Sequence, residues 1–275
     1  MIPSAFDYDV AESPDHALEL LGRHGSDAKL LAGGHSLLPL MKLRLAQPSM
    51  LVDIGRLSEL SFVRDEGERL AVGALTTHHD LEDNEVLKAN CPILSHTAGE
   101  VGDPQVRNKG TIGGSVAHGD PASDLPTVLL ALDAEFVIKG RGGDRISRAT
   151  EFFKGLFEVD LSPEEMLTEI RVPKVAQRGW SYQKFHHRAQ DWAIVGVAAV
   201  QHDGGARVAL TNMGETPLRA TAVEEALASG TDPATAAHEA DKNTSPPSDP
   251  FGSAEYRRDL AKVLTRRALR EALSP

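Results

Sequence analysis

The chain has 275 residues, enough for two or three modest domains with a core each. Its 40 acidic residues outnumber 29 basic ones, and a net charge of −11 argues against a nucleic-acid binder, while leaving room for a small anion held by backbone N–H groups. No apolar run is long enough to cross a membrane, MIPSAFDYDV lacks a secretory apolar stretch, and the one cysteine, Cys91, excludes an internal disulfide and a thiolate-bound iron–sulfur cluster. A cytoplasmic chain, or part of a larger cytosolic assembly, is expected.

In chain order, residues 1–60 predict a βαβ unit. SPDHALELLGRHG carries Ser13 as a helix cap, Pro14 at the first helical position and Gly25 as a stop, and the apolar runs AKLLAGG and MLVDIG read as strands. LSFVRDEGERLAVGAL alternates as a hairpin around Glu66-Gly67. Asn84 to Glu100 reads as one helix despite Pro92, and the glycine-rich NKGTIGGSVAHGDPASDLP precedes an apolar helix through Leu132. AEFVIKGRGGDRIS predicts a second hairpin. After Pro173, WSYQKFHHRAQDWAIVGVAAVQHDGGARVALTNMG reads as three antiparallel strands, two joined through Asp203-Gly204-Gly205. Alanine-rich helices are expected over Leu218–Ser229 and Ala254–Leu273, separated by the polar, proline-rich loop DKNTSPPSDPFGS. The layout is a larger α+β part to about residue 173 and a smaller sheet-and-helix part after it.

Two loops share a composition, Gly-Gly followed by a hydroxyl residue within two positions. Gly33-Gly34-His35-Ser36 precedes a helix expected at Ser36–Leu43, with N–H groups free to face an anion; Thr111-Ile112-Gly113-Gly114-Ser115 adds hydroxyl donors and bare backbone. A plain strand-to-helix turn also explains the first loop alone. Their flanks differ, so the loops are not a repeat. Neither fits G-x-G-x-x-G or the Walker pattern, and a dinucleotide diphosphate held from both sides fits better than a hydrolysed triphosphate.

LLAGGHSLLPLMKLR, GDPQVRNKGTIGGSVAHGDPASDLP, LSPEEMLTEIRVP and YQKFHHRAQDWAIVGVAA, in this order and over essentially the whole chain, resemble the FAD-binding medium subunit of molybdenum hydroxylases, above all that of carbon monoxide dehydrogenase. The resemblance implies a two-subdomain, vanillyl-alcohol-oxidase-like (PCMH-type) FAD-binding domain over 1–173, split into a βαβ subdomain 1–60 and a mixed subdomain 61–173. A C-terminal domain over 174–275, with a three-stranded antiparallel sheet and helices, would follow.

By the same resemblance Lys29, Leu30, Leu31, Ala32, Gly33, Gly34, His35 and Ser36 line the diphosphate and adenosine side of non-covalent FAD. Thr111, Ile112, Gly113, Gly114 and Ser115 close on the diphosphate and ribityl chain. Asp124 matches a polar contact, Val101 and Leu167 apolar contacts, Lys184 a basic contact near the flavin, and Trp192 an aromatic ring against the isoalloxazine. Ser115 stands where many relatives have Asn, and His118 interrupts a commonly small or Asn-containing stretch. The family division of labour implies a large molybdenum-binding subunit and a small subunit with [2Fe-2S] clusters, assembled as a dimer of heterotrimers. Electrons would pass from clusters to FAD and on to a quinone or other acceptor; a quinone would allow peripheral membrane association of the complex.

Blander readings accompany several of these residues. Asp124 also suits a helix N-cap ahead of Leu125-Pro126, Lys184 a solvated strand position and Trp192 a core position. His78-His79 and His186-His187, if on strands, point to opposite faces and chelate poorly. Arg257-Arg258 and Arg266-Arg267 read as a solvated or subunit-facing surface. With no Ser-His-Asp or paired-carboxylate pattern, the hard chemistry falls to a cofactor. Other readings are the medium subunit of a xanthine, N-heterocycle or aldehyde hydroxylase, a free-standing flavin oxidase, and a nucleotide-sensing module.

Overall fold

The computed structural model describes residues 2–274. Three larger sheets follow one another along the chain, and a two-stranded ribbon, Phe153–Gly155 with Glu158–Val159, lies between the second and third in sequence. The first is parallel, ordered Asp7–Val10, Met50–Asp53, Ala28–Leu31, and the helix Pro14–His24 lays Ala17, Leu18, Leu20 and Leu21 against it. Ser13 caps that helix by accepting from the His16 N–H at 3.1 Å, and Pro14 opens it where no backbone donor is needed. The second sheet is antiparallel, ordered Val63–Asp65, Arg69–Gly73, Met166–Pro173, Glu135–Gly140, Gly143–Arg148. Both expected hairpins are its edges.

The third sheet runs Trp180–Phe185, Val195–His202, Gly205–Thr211 and Leu218–Arg219. The expected three strands are therefore four. Leu218 and Arg219 pair with Leu210 and Ala209, and the helix expected from Leu218 begins at Thr221. Both faces of this sheet are covered. Val195, Val197 and Ala199 face the 19-residue helix Ala254–Ala272, while Ala198 and Val200 join the core that includes Leu94, Leu125 and Val128 of the preceding domain's helices. Double burial explains why AIVGVAAV is a continuous apolar run instead of an alternating one.

Three further expectations change for physical reasons. The helix expected over Asn84–Glu100 is two, Glu85–Asn90 and Pro92–Gly99. Pro92 offers no N–H and forces Cys91 out of helical geometry (φ −144°, ψ 62°). His78 and His79 lie on the helix His78–Asp83, not on a strand, and His186-His187 follow the strand end at Phe185. Arg257 is not on the surface. Only 1% exposed, its Nη1 donates to the Ile194 carbonyl at 2.5 Å and its Nη2 to Asp249 Oδ2 at 2.6 Å. It thus fastens the polar loop and the strand before Val195 to the long helix, while Arg266 and Arg267 are exposed as expected.

Arg257→Met keeps the apolar stem and removes both bonds, leaving the Ile194 carbonyl short of a donor. It should lower unfolding stability by about 3 kcal/mol, measured by urea titration, whereas Arg266→Met should cost less than about 0.5 kcal/mol.

Candidate functional site

The first glycine loop leaves the strand Ala28–Leu31 at the edge of the parallel sheet. Gly34 has φ +74°, a left-handed conformation that favours glycine. The helix that follows is Leu37–Lys42, shorter than expected, with Ser36 at its cap and, among the described residues, no side-chain cap bond from its hydroxyl. None of the N–H groups of Gly33, Gly34, His35 and Ser36 donates to a protein acceptor among the described residues. Four consecutive unpartnered donors on a half-exposed loop can surround an anion.

The second loop is organised differently. Its N–H groups are largely spent: Ile112 on the Thr76 carbonyl (3.0 Å), Gly113 on Ala74 (2.9 Å) and Ser115 on Thr111 (3.0 Å). Gly114 donates to Thr111 Oγ1 at 3.1 Å as the helix Ile112–His118 begins. The expected bare backbone is thus used by the fold. The loop instead offers the Thr111 N–H and the hydroxyls of Thr111 and Ser115.

The glycines divide by what presses on them. A Cβ on Gly33 would lie 2.0 Å from the Lys109 carbonyl oxygen, and one on Gly113 would lie 2.5 Å from Ala74 Cβ. These two let backbone pack on backbone. At Gly114 the single near atom outside its own helix backbone is Thr111 Oγ1 at 2.8 Å, so a Cβ there would press on the capping hydroxyl and on no other part of the fold. Gly33 against Lys109 is also where the two loops meet.

His78 sits at that crossing. Its N–H donates to the Gly110 carbonyl at 2.9 Å, and its buried Nδ1 has no partner. Burial, with His35 and Arg107 as nearby charges, pulls its pKa from 6.5 down to about 4. Sequence reasoning weighed His78 only as a metal ligand and missed this position.

The remaining candidates fall in two groups. Asp124 does not cap its helix; Ser123 holds the cap position of Asp124–Ala131 without a side-chain bond. Instead Asp124 Oδ1 accepts from Tyr182 Oη at 2.5 Å and Oδ2 from Lys184 Nζ at 2.8 Å, while the Lys184 amine also donates to the Glu100 carbonyl at 2.8 Å. Asp124 and Lys184 side chains are 6% and 4% exposed, so Lys184 is no solvated strand residue. Burial pushes the Asp124 carboxyl up against the pull of Lys184, and burial beside Asp124 holds the Tyr182 hydroxyl well above its usual range. Tyr182 was not among the sequence candidates; its place two residues before Lys184, on the same strand face, was the available signal.

Val101 is half-buried against the main core, and Leu167 is buried in it. Leu30 and Ala32 pack on the first core, whereas Leu31 is half-buried and Lys29 exposed without an ion pair among the described residues. Trp192 is 58% exposed, in the loop between the first two strands of the third sheet, and not in the core. His118 stacks at 5.0 Å on Phe157.

Comparison with known proteins agrees with this geometry. Residues 4–175 match the FAD binding domain in molybdopterin dehydrogenase, and residues 180–272 match the CO dehydrogenase flavoprotein C-terminal domain. The chain therefore belongs to the FAD-binding family of the molybdopterin dehydrogenases, with the C-terminal domain of the CO dehydrogenase flavoproteins. It is an FAD-binding electron-transfer subunit of a molybdenum hydroxylase, with the α+β PCMH-type fold. The carbon monoxide dehydrogenase medium chain of Hydrogenophaga pseudoflava is 42% identical over 99% of this chain and 98% of its own. A solved carbon monoxide dehydrogenase structure from the same organism superposes with a TM-score of 0.95 at 44% identity, covering 99% of this chain and 98% of that one. The 6-hydroxypseudooxynicotine dehydrogenase complex subunit alpha of Paenarthrobacter nicotinovorans is 39% identical over 99% of this chain and 96% of its own.

Two outcomes are expected. Gly114→Ala should reduce flavin retained on purification while costing at most about 1 kcal/mol of stability, the scale of a helix cap, whereas Gly33→Ala should destabilise the fold itself; flavin absorbance per chain and urea midpoints separate them. His78 is neutral in both folded and unfolded chains above pH 6.5. Between 6.5 and about 4 the unfolded chain takes up a proton that the folded one refuses, so stability is lost as pH falls through that window. The loss should reach about 3 kcal/mol, and His78→Gln should remove that part of the slope in urea titrations at stepped pH.

Proposed function

We propose that this chain is the medium subunit of an aerobic carbon monoxide dehydrogenase, holding FAD non-covalently between its two glycine loops. The row of unpartnered N–H groups at Gly33–Ser36 carries this reading, because a diphosphate supplies the acceptors that the protein withholds. The hydroxyls of Ser36, Thr111 and Ser115 would add donors, and Lys29 a cation at the start of the same segment. The half-buried Leu30, Leu31, Ala32 and Val101 would give this cleft apolar walls, with Ile112 and Leu167 buried in the core behind them. Trp192, standing free of the core, is available to cover an aromatic ring. Asp124 and Lys184 would approach the cofactor as one hydrogen-bonded unit, since each already occupies the other.

Bound FAD supplies reversible uptake of electrons; the chain binds and orients it and excludes water from it. The flavin-binding part would end at about residue 173. CO and water would be converted to CO2 at molybdenum in a large subunit, and [2Fe-2S] clusters in a small subunit would deliver the electrons for passage to a quinone. Cys91, the one cysteine, is buried with its thiol pushed up to about 12, which leaves cluster ligation to a partner. The similarity to a 6-hydroxypseudooxynicotine dehydrogenase subunit supports a second reading, a hydroxylase of N-heterocycles with the same flavin role.

Anaerobic absorbance tests the relay. FAD should leave the chain on acid denaturation, and FAD on the isolated chain should stay oxidised under carbon monoxide. Adding the molybdenum and iron–sulfur subunits should bleach it. Bleaching of the isolated chain would return the chemistry to this polypeptide, and bleaching of the complex by an N-heterocycle but not by CO would favour the second reading.

A further inference from the structure

The segment between Gly99 and Gly110 leads into the second glycine loop, and three successive carbonyls at its start are each taken by a cation. Glu100 accepts from Lys184 Nζ at 2.8 Å. Val101 and Gly102 accept from Arg107 Nη1 at 3.2 and 3.4 Å. On its other side the Arg107 guanidinium is ion-paired with Glu82, its Nε lying 2.8 Å from Oε2, and its side chain is only 17% exposed. Glu82 belongs to the helix that His78 opens. Gly102 turns with φ +49°, Asp103 caps the short helix Pro104–Arg107, and Gly110 closes it by donating to the Val106 carbonyl at 2.7 Å. Two residues after Arg107 comes Lys109, whose carbonyl rests in the space left by Gly33.

We infer that Arg107 is a positioning residue for the cofactor site, setting the distance between the two glycine loops without contacting the ligand. The inference rests on the FAD reading above. A planar guanidinium can span a carboxylate on one edge and two carbonyls on another, which a lysine ammonium on its flexible stem cannot reproduce. Holding Val101 and Gly102 in place fixes the start of a segment whose end sits on Gly33.

The test uses the assembled complex freed of flavin and titrated with FAD at several salt concentrations. Arg107→Lys should weaken FAD binding about tenfold or more, as should Arg107→Met. Glu82→Gln should weaken it in the same direction, and the double variant Arg107→Met/Glu82→Gln should be no weaker than Arg107→Met. The slope of log affinity against log salt should match the wild type in every variant, because no phosphate contact is lost. Binding of Arg107→Lys at wild-type strength, an unaffected Glu82→Gln or a shallower salt slope would each overturn the inference, the last by making Arg107 a direct phosphate ligand. Should Arg107→Met fail to assemble, Arg107→Lys and Glu82→Gln decide alone. A wild-type complex that takes up no FAD would instead remove the FAD site, and the inference with it.

Discussion

The arrangement depends on one contact, the Lys109 carbonyl lying where a side chain on Gly33 would begin. Gly33 belongs to the parallel sheet's loop and Lys109 to the segment docked on Ala74–His78. Two backbone segments can approach this closely only if one of them has no Cβ. Everything proposed for the cofactor follows from that approach, because it sets the unpartnered N–H row of Gly33–Ser36 beside Thr111. Gly113 repeats the device one layer down, against Ala74, and locks the second loop to the large sheet.

The joint with the C-terminal sheet is made on other terms. Removing an ionised carboxylate and an ammonium from water costs several kcal/mol each, and that cost is offset only when every lone pair and proton finds a partner. At Asp124 both oxygens have donors, and the Lys184 amine has two acceptors. Apolar surfaces alone would tolerate sliding by a residue. Bonds of fixed direction at Asp124, Tyr182 and Glu100 do not, so the strand Trp180–Phe185 meets the helices of the FAD-binding domain in one register.

Much of this was legible in the sequence where local chemistry dominates. Ser13-Pro14, the two glycine hairpins and the long C-terminal helix depend on residues close in the chain, and the order of motifs carried the family resemblance. The misreadings fall where a distant partner decides. Asp124 suits a cap by its neighbours, but Tyr182 and Lys184, nearly sixty residues on, claim its oxygens. Arg257 looks like a surface arginine until Asp249 and Ile194 fold over it. Composition could not say which glycines make room for backbone and which do not, because Gly33, Gly113 and Gly114 differ only in what faces them.

The main core does not respect the order of synthesis. Tyr182, Ala198, Val200 and Ala209 pack with Leu94, Leu125 and Val128, so one apolar mass draws on both sides of residue 173. A ribosome delivers the chain from its N-terminus. The helices Pro92–Gly99 and Asp124–Ala131 therefore emerge with an apolar face whose cover is still untranslated, and they must wait for about eighty more residues before that face can close. During that interval the nascent polypeptide exposes apolar surface of the kind that chaperones cover.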